Sequence, residues 1–265
     1  MKKYLVLLLA FILLVGFGVW QYAKRNNPDL VINLPPAQNF QEFVEQTSTP
    51  IISDEAVEST TTSAEPEATL PATVDLPNKI NLNIPFTSQA PTANWNQPFQ
   101  DACEEASVLM AVYYYENRKF PSSADVEKII LDLVQWQIDH WGVHKNMPVA
   151  EVADFAQNYY GYQTEIVNDL TIDKIKQYLQ AGRPVIVPAN GKKLANPNFR
   201  NGGPLYHMLV IKGFADDKFI TNDPGTRKGA DFIYTQANLM GAIADWGEDQ
   251  NAAMGPRRAL ILLPK

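Results

Sequence analysis

At 265 residues and 29.7 kDa the chain has room for one ordinary domain and a further segment. Its 29 acidic and 22 basic residues give a net charge of −7, with no Lys/Arg run and no nucleotide-binding Gly-rich loop, which excludes the electrostatic footprint of a nucleic-acid binder. One cysteine excludes an intramolecular disulfide and leaves the redox compartment open.

Lys2 and Lys3 precede an unbroken apolar run from Tyr4 to Trp20, closed by Gln21-Tyr22-Ala23-Lys24-Arg25. At about 1.5 Å per residue such a run just spans a hydrocarbon core, and Tyr4, Trp20 and Tyr22 stand where interfacial aromatics belong. No small-x-small site follows, so residues 1–25 are expected to be an uncleaved single-pass membrane anchor; the alternative is a signal peptide and a secreted protein. The slight bias of positive charge places the remainder in an extracytoplasmic space. Residues 26–78 contain no Lys or Arg and nine acids, and their Ser/Thr/Pro/Glu-rich part from Glu58 to Pro71 buries too little to fold, so they are expected to be a disordered linker. The globular domain is expected over residues 79–265, with a net charge of −2 and with neither a cofactor nor a metal.

Leu82 to Phe86 reads as a short strand entering a Pro/Asn-rich loop. Asp101 is of N-cap type, and Glu104 three residues later gives a capping-box-like pair ahead of a helix running to about Asn117. Ser122 or Ser123 caps a second helix through about Gln137, Pro148 opens a third that stops at Gly161, and Thr171 caps a fourth that stops at Gly182. Pro184–Pro188, Tyr206–Phe214, Lys218–Asn222 and Ala259–Leu263 read as strands, and Thr235 as the cap of a last helix before Gly247. Helices first and a mostly antiparallel sheet after them argue for α+β.

Cys103 falls in the first helical turn, where unpaired N–H groups and the positive end of the helix dipole favour a thiolate. A cysteine nucleophile needs a base and a group to orient it. His207 opens an apolar strand, and the next strand ends at Asn222-Asp223-Pro224-Gly225, so a hairpin brings Asp223 towards His207. The two share a face if the register is even and lie on opposite faces if it slips by one. Taken singly, Cys103 reads as a small buried hydrophobe, His207 as a strand-edge histidine and Asp223 as a turn residue; together they favour catalysis. His140 and His144 are spaced like a metal pair, but Gly142 breaks the helix between them and no third ligand follows.

Ile84-Pro85-Phe86-Thr87-Ser88-Gln89, Cys103 at a helix start, Gly182 to Val187, His207 to Phe214 and Asn222-Asp223-Pro224 together resemble the C39-like peptidases of the papain-like superfamily, over roughly residues 79–265. The resemblance implies a papain-like α+β fold with N-terminal helices packed on the sheet. It implies Cys103 as nucleophile, His207 as general base, Asp223 as orienting acid and Gln89 as oxyanion donor beside the Cys103 N–H, such a donor being worth about 10²–10³ in rate. Two features depart from the bacteriocin-processing members. The nucleophile motif reads Ala102-Cys103-Glu104 rather than Asp-Cys-Gly, and no transporter portion is present, so cleavage of double-glycine leaders is not carried over. Gln97 and Gln100 rival Gln89.

The leading expectation is therefore a membrane-tethered, monomeric cysteine peptidase acting on a peptide or protein through a Cys-His-Asp triad and an acyl-thioenzyme. The alternatives are a cell-wall peptide amidase or transpeptidase on the same fold, and a catalytically inactive papain-like binding module.

Overall fold

The computed structural model describes residues 33–41, 77–247 and 254–265. Chain order gives β1 (Lys79–Asn81), a 3-10 turn (Phe99–Asp101), α1 (Cys103–Tyr115), α2 (Ser123–Trp141), α3 (Val149–Tyr160), β2 (Gln163–Asn168), α4 (Ile172–Gln180) and β3 (Val185–Ala189). A single-turn α5 (Gly191–Leu194), β4 (His207–Ala215), β5 (Lys218–Asn222), β6 (Phe232–Thr235), α6 (Gln236–Ala242) and β7 (Arg258–Leu263) follow. The strands form one antiparallel sheet in the order β2-β7-β3-β4-β5-β6, with β1 also paired to β4.

The helices form where their ends are chemically marked. Ser122 caps α2 by accepting from the Asp125 N–H, Thr171 caps α4 by accepting from that of Lys174, and Thr235 caps α6 through Asn238. Helix α1 is different. It has almost no polar face, every one of its residues is buried, and it packs against β4, whose nine residues are buried as well. A helix apolar on all sides belongs in the core. Leu109 and Met110 of α1 and Phe219 of β5 are fully buried, each contributing about 1.5–3 kcal/mol of transfer free energy.

Asp101 does not cap α1. It ends the preceding 3-10 turn and accepts from Gln97 Nε2 at 2.5 Å, and the N-cap position is Ala102, without a side-chain hydrogen bond. The strand expected at Leu82–Phe86 lies earlier, as β1, with Leu82 bridged to Gln38. Strands β2 and β6 and the short α5 were not expected. Only Val167 of β2 is buried, which leaves little apolar alternation to read.

The α+β architecture and antiparallel sheet are as expected, and the transmembrane part of the fold class is corrected. The expected anchor, residues 1–25, lies outside the described residues. Among the described residues no helix is long and apolar enough to cross a membrane. The longest, α2, has 19 residues but carries Asp125, Glu127, Lys128, Asp132 and Asp139. The fold class is therefore the α+β domain alone, and neither a membrane partner nor a single-pass location is carried further. Most of the expected linker is likewise outside the described residues. Its described part, residues 33–41, lies on the domain: Gln38 N–H donates to Asn81 O and Asn83 N–H to Gln38 O, at 2.9 and 2.7 Å, and the Phe40 ring meets Tyr115 edge-on at 4.9 Å.

Candidate functional site

The hairpin register decides whether His207 and Asp223 meet. Near the two-residue turn Asp216-Asp217, Ala215 faces Lys218 and Phe214 faces Phe219; continued unchanged, that register would put Asp223 opposite Val210, on the other face from His207. The register instead shifts between Ile211 and Gly213, leaving Lys212 as the extra residue, and Val210 then faces Asn222. One step further, Asp223 stands opposite Leu209, on the face that carries His207. The bulge has its own support. Lys212 Nζ binds Asp231 Oδ1 at 2.5 Å, and a Cβ on Gly213 would lie 2.2 Å from Ile80 O, so only glycine lets β1 approach here.

The imidazole Nε2 of His207 lies 2.8 Å from Asp223 Oδ1, both side chains being buried. Asp223 is held by three further donors: Gly225 N–H on Oδ1 at 3.0 Å, and Tyr234 O–H and Asn196 Nδ2 on Oδ2 at 2.6 and 3.2 Å. Burial opposes its ionisation, but the His207 charge and these hydrogen bonds hold its carboxyl below the usual range. Phe199 meets the imidazole edge-on at 5.3 Å, and a Cβ on Gly225 would fall 2.8 Å from Cε1, so the loop after Asp223 closes directly on the ring.

Cys103 begins α1, as expected, but its partner is not His207. Its thiol donates to Glu104 Oε2 at 3.0 Å, and no hydrogen bond joins it to His207 among the described residues. Burial, the Glu104 and Glu105 carboxylates and the hydrogen bond to Glu104 push the thiol well above its ordinary value, against a smaller opposing pull from the Met208 N–H. The helix terminus expected to favour a thiolate is outweighed by full burial beside two acids. The assembled Cys-His-Asp triad, and with it the expected membrane-tethered triad peptidase, is corrected on that ground.

Gln89 is buried, and its amide donates to both Phe99 O (2.9 Å) and Gln100 O (2.8 Å), so both amide hydrogens are committed to carbonyls. Gln97 binds Asp101, and the Gln100 side chain is exposed. His144 Nε2 lies 3.0 Å from Glu105 Oε1, which also accepts from Gln137, whereas His140 stacks on Trp136 at 4.0 Å. Burial alone would lower the His144 pKa, but the Glu105 carboxylate raises it. No cluster of His, Cys, Asp and Glu able to hold a metal occurs among the described residues.

His207 opens onto a cleft of about 840 Å³. One wall is the loop carrying Phe199 and Arg200, another the loop carrying Arg227 and Lys228, and Gln89, Trp95 and Asp101 complete it. Cys103, 2% exposed, does not line it. Sequence reasoning missed Glu104, Asn196 and Tyr234. The signal for Glu104 was present: it is an acid inside a helix otherwise fit only for the core.

The family model described as the Peptidase_C39 like family matches residues 81–254, well over half of the chain. The chain belongs to the C39-like peptidase family. Among solved structures, a crystal structure assigned as a C39-like peptidase from Bacillus anthracis matches with 15% identity and a TM-score of 0.47, covering 71% of this chain and 98% of that one. That likeness is too loose to add to the argument. A search of curated proteins returned no match.

Proposed function

We propose that this C39-like domain binds an extended acidic segment of a peptide or protein in the His207 cleft, with Cys103 silent in the state described. One observation carries this reading: His207 lines an open cleft while Cys103 is buried, bound to Glu104 and shut off from it. The charge of the walls gives the ligand class. Arg200, Arg227 and Lys228 are exposed around the cleft and Asp101 is the single acid among its lining residues, in a chain with a net charge of −7. Such a concentration of cations on an acidic protein favours a carboxylate-bearing partner, and Trp95 and Phe199 supply apolar surface for its backbone and side chains.

Fluorescence anisotropy with labelled Glu-rich and Lys-rich peptides tests this. The Glu-rich peptide is expected to bind more tightly, several-fold less so on going from low to physiological salt, and less tightly to Arg227→Glu. Equal binding of both peptides, indifferent to salt, would sink it.

A second reading, hydrolysis of a peptide amide bond by thiol chemistry, is favoured by the His207–Asp223 pair, which leaves Nδ1 as the ring nitrogen able to take a proton. It requires Cys103 to give up the thiol hydrogen now held by Glu104, and Gln89 to release a carbonyl. Mass spectrometry of the bound peptide separates the two readings, since only hydrolysis yields fragments.

A further inference from the structure

Glu104, the second residue of α1, is fully buried, and each carboxyl oxygen has one partner. Met147 N–H donates to Oε1 at 2.8 Å, and the Cys103 thiol donates to Oε2 at 3.0 Å. A backbone N–H can only donate, so Oε1 must accept in either ionisation state. A proton added to this carboxyl therefore resides on Oε2 and points at the sulfur. The same contact then runs in opposite senses. Ionised, Glu104 accepts the thiol hydrogen and its charge opposes a thiolate. Protonated, it donates to Sγ beside the Met208 N–H, and the thiol hydrogen is free to leave.

The surroundings make both states reachable. Glu105 lies on the same turn with His144 and Gln137 on its Oε1. Tyr206, beside His207, donates to Met147 O at 2.8 Å and lies 3.4 Å from Asp245, which takes the Val149 and Trp246 N–H groups and lies 3.5 Å from Arg258. Three acids thus share this region with His144 and Arg258. Burial, reinforced by the Glu105 charge, pushes the Glu104 carboxyl up to about 8.

We propose that Glu104 is the positioning residue that switches Cys103: ionised, it locks the thiol as a donor, and protonated, it holds sulfur as an acceptor and releases the thiol hydrogen to a base. The base in this proposal is Nδ1 of His207, the ring nitrogen that Asp223 leaves free, on the residue next to the Met208 whose N–H reaches the sulfur. The S–H bond breaks, an N–H bond forms, and the electron pair stays on sulfur, giving a thiolate held by Glu104 and Met208 and an imidazolium held by Asp223. The proposal rests on the reading of Cys103 as silent in the described state, and names what silences it.

The test is the rate of Cys103 alkylation by iodoacetamide on the full chain from pH 5.5 to 10, read by intact mass. A single ordinary thiol gives a rate that rises tenfold per pH unit up to its own pKa. The switch predicts that the wild-type rate flattens above about pH 8, where gain of thiolate is cancelled by loss of protonated Glu104. In Glu104→Gln the amide takes the place of Oε2 and donates to sulfur at every pH. That variant is expected to label at least tenfold faster than wild type at pH 9, with the gap narrowing towards pH 6, and His207→Ala added to it should slow labelling again. A wild-type rate rising steeply through pH 8 and matched by Glu104→Gln would overturn the switch; if the variant fails to fold, the wild-type profile decides alone. Peptide anisotropy on Cys103→Ala keeps the two claims apart. Binding without the plateau overturns the switch, and a plateau without binding overturns the cleft.

Discussion

Asp223 illustrates how one buried carboxylate is kept charged. Its four donors come from β4, the loop after β5, β6 and the Asn196 turn, so ionisation of one group ties four parts of the chain together. Tyr234→Phe leaves Oδ2 with Asn196 as its sole partner, and a cost of about 1–3 kcal/mol is expected in urea unfolding. Glu104 is the opposite case. Its carboxyl is raised from 4.5 to about 8 by burial and Glu105, so between those values the folded chain holds a proton that the unfolded chain has released. Its contribution is fully present below about pH 4.5 and is lost as pH rises towards 8. Unfolding of wild type and Glu104→Gln at pH 5 and pH 8 should show the variant gaining relative stability at the higher pH; a constant difference would contradict this. The pairing of His207 with Asp223 was open in the sequence, since either face was allowed. The burial of Glu104 and Glu105 was signalled only by the apolar helix they open, because two acids in a first turn also suit a solvent-exposed helix start.

Among the elements, those with local punctuation were legible. Thr171 and Gly161 bound helices whatever the rest of the chain does, and Lys218–Asn222 coincides with β5. What was not legible depends on distant partners. The bulge at Lys212 is fixed by β1, whose approach at Gly213 no local pattern announces, and it is the bulge that puts Asp223 on the face of His207. Gly213→Ala would force Ile80 O aside and is expected to cost about 1–3 kcal/mol, as overpacking does. Deleting Lys212 removes only the extra residue, so Ile211 still faces Thr221, Val210 still faces Asn222 and Asp223 stays on the face of His207. A crystal structure or histidine NMR of that deletion should show the His207–Asp223 hydrogen bond kept, and its loss would refute this register.

The whole molecule draws a distant segment into its domain. Residues 33–41 bridge to Leu82 and lay Phe40 on Tyr114 and Tyr115, although composition assigned them to a linker. Phe40→Ala is expected to cost about 2 kcal/mol, less than for a fully buried phenylalanine, and a chain begun at Lys79 should unfold at lower urea than one begun at Asn33. Between the Phe199–Arg200 and Arg227–Lys228 loops the domain presents a cationic cleft lined by His207, with Cys103 buried outside its lining. The most direct measurement incubates the wild-type chain with a Glu-rich peptide at pH 9, where Glu104 is ionised and Cys103 locked, following anisotropy for binding and mass spectrometry for cleavage in the same samples. The account predicts saturable binding and an intact peptide. Multiple-turnover cleavage, or no binding at all, would contradict it.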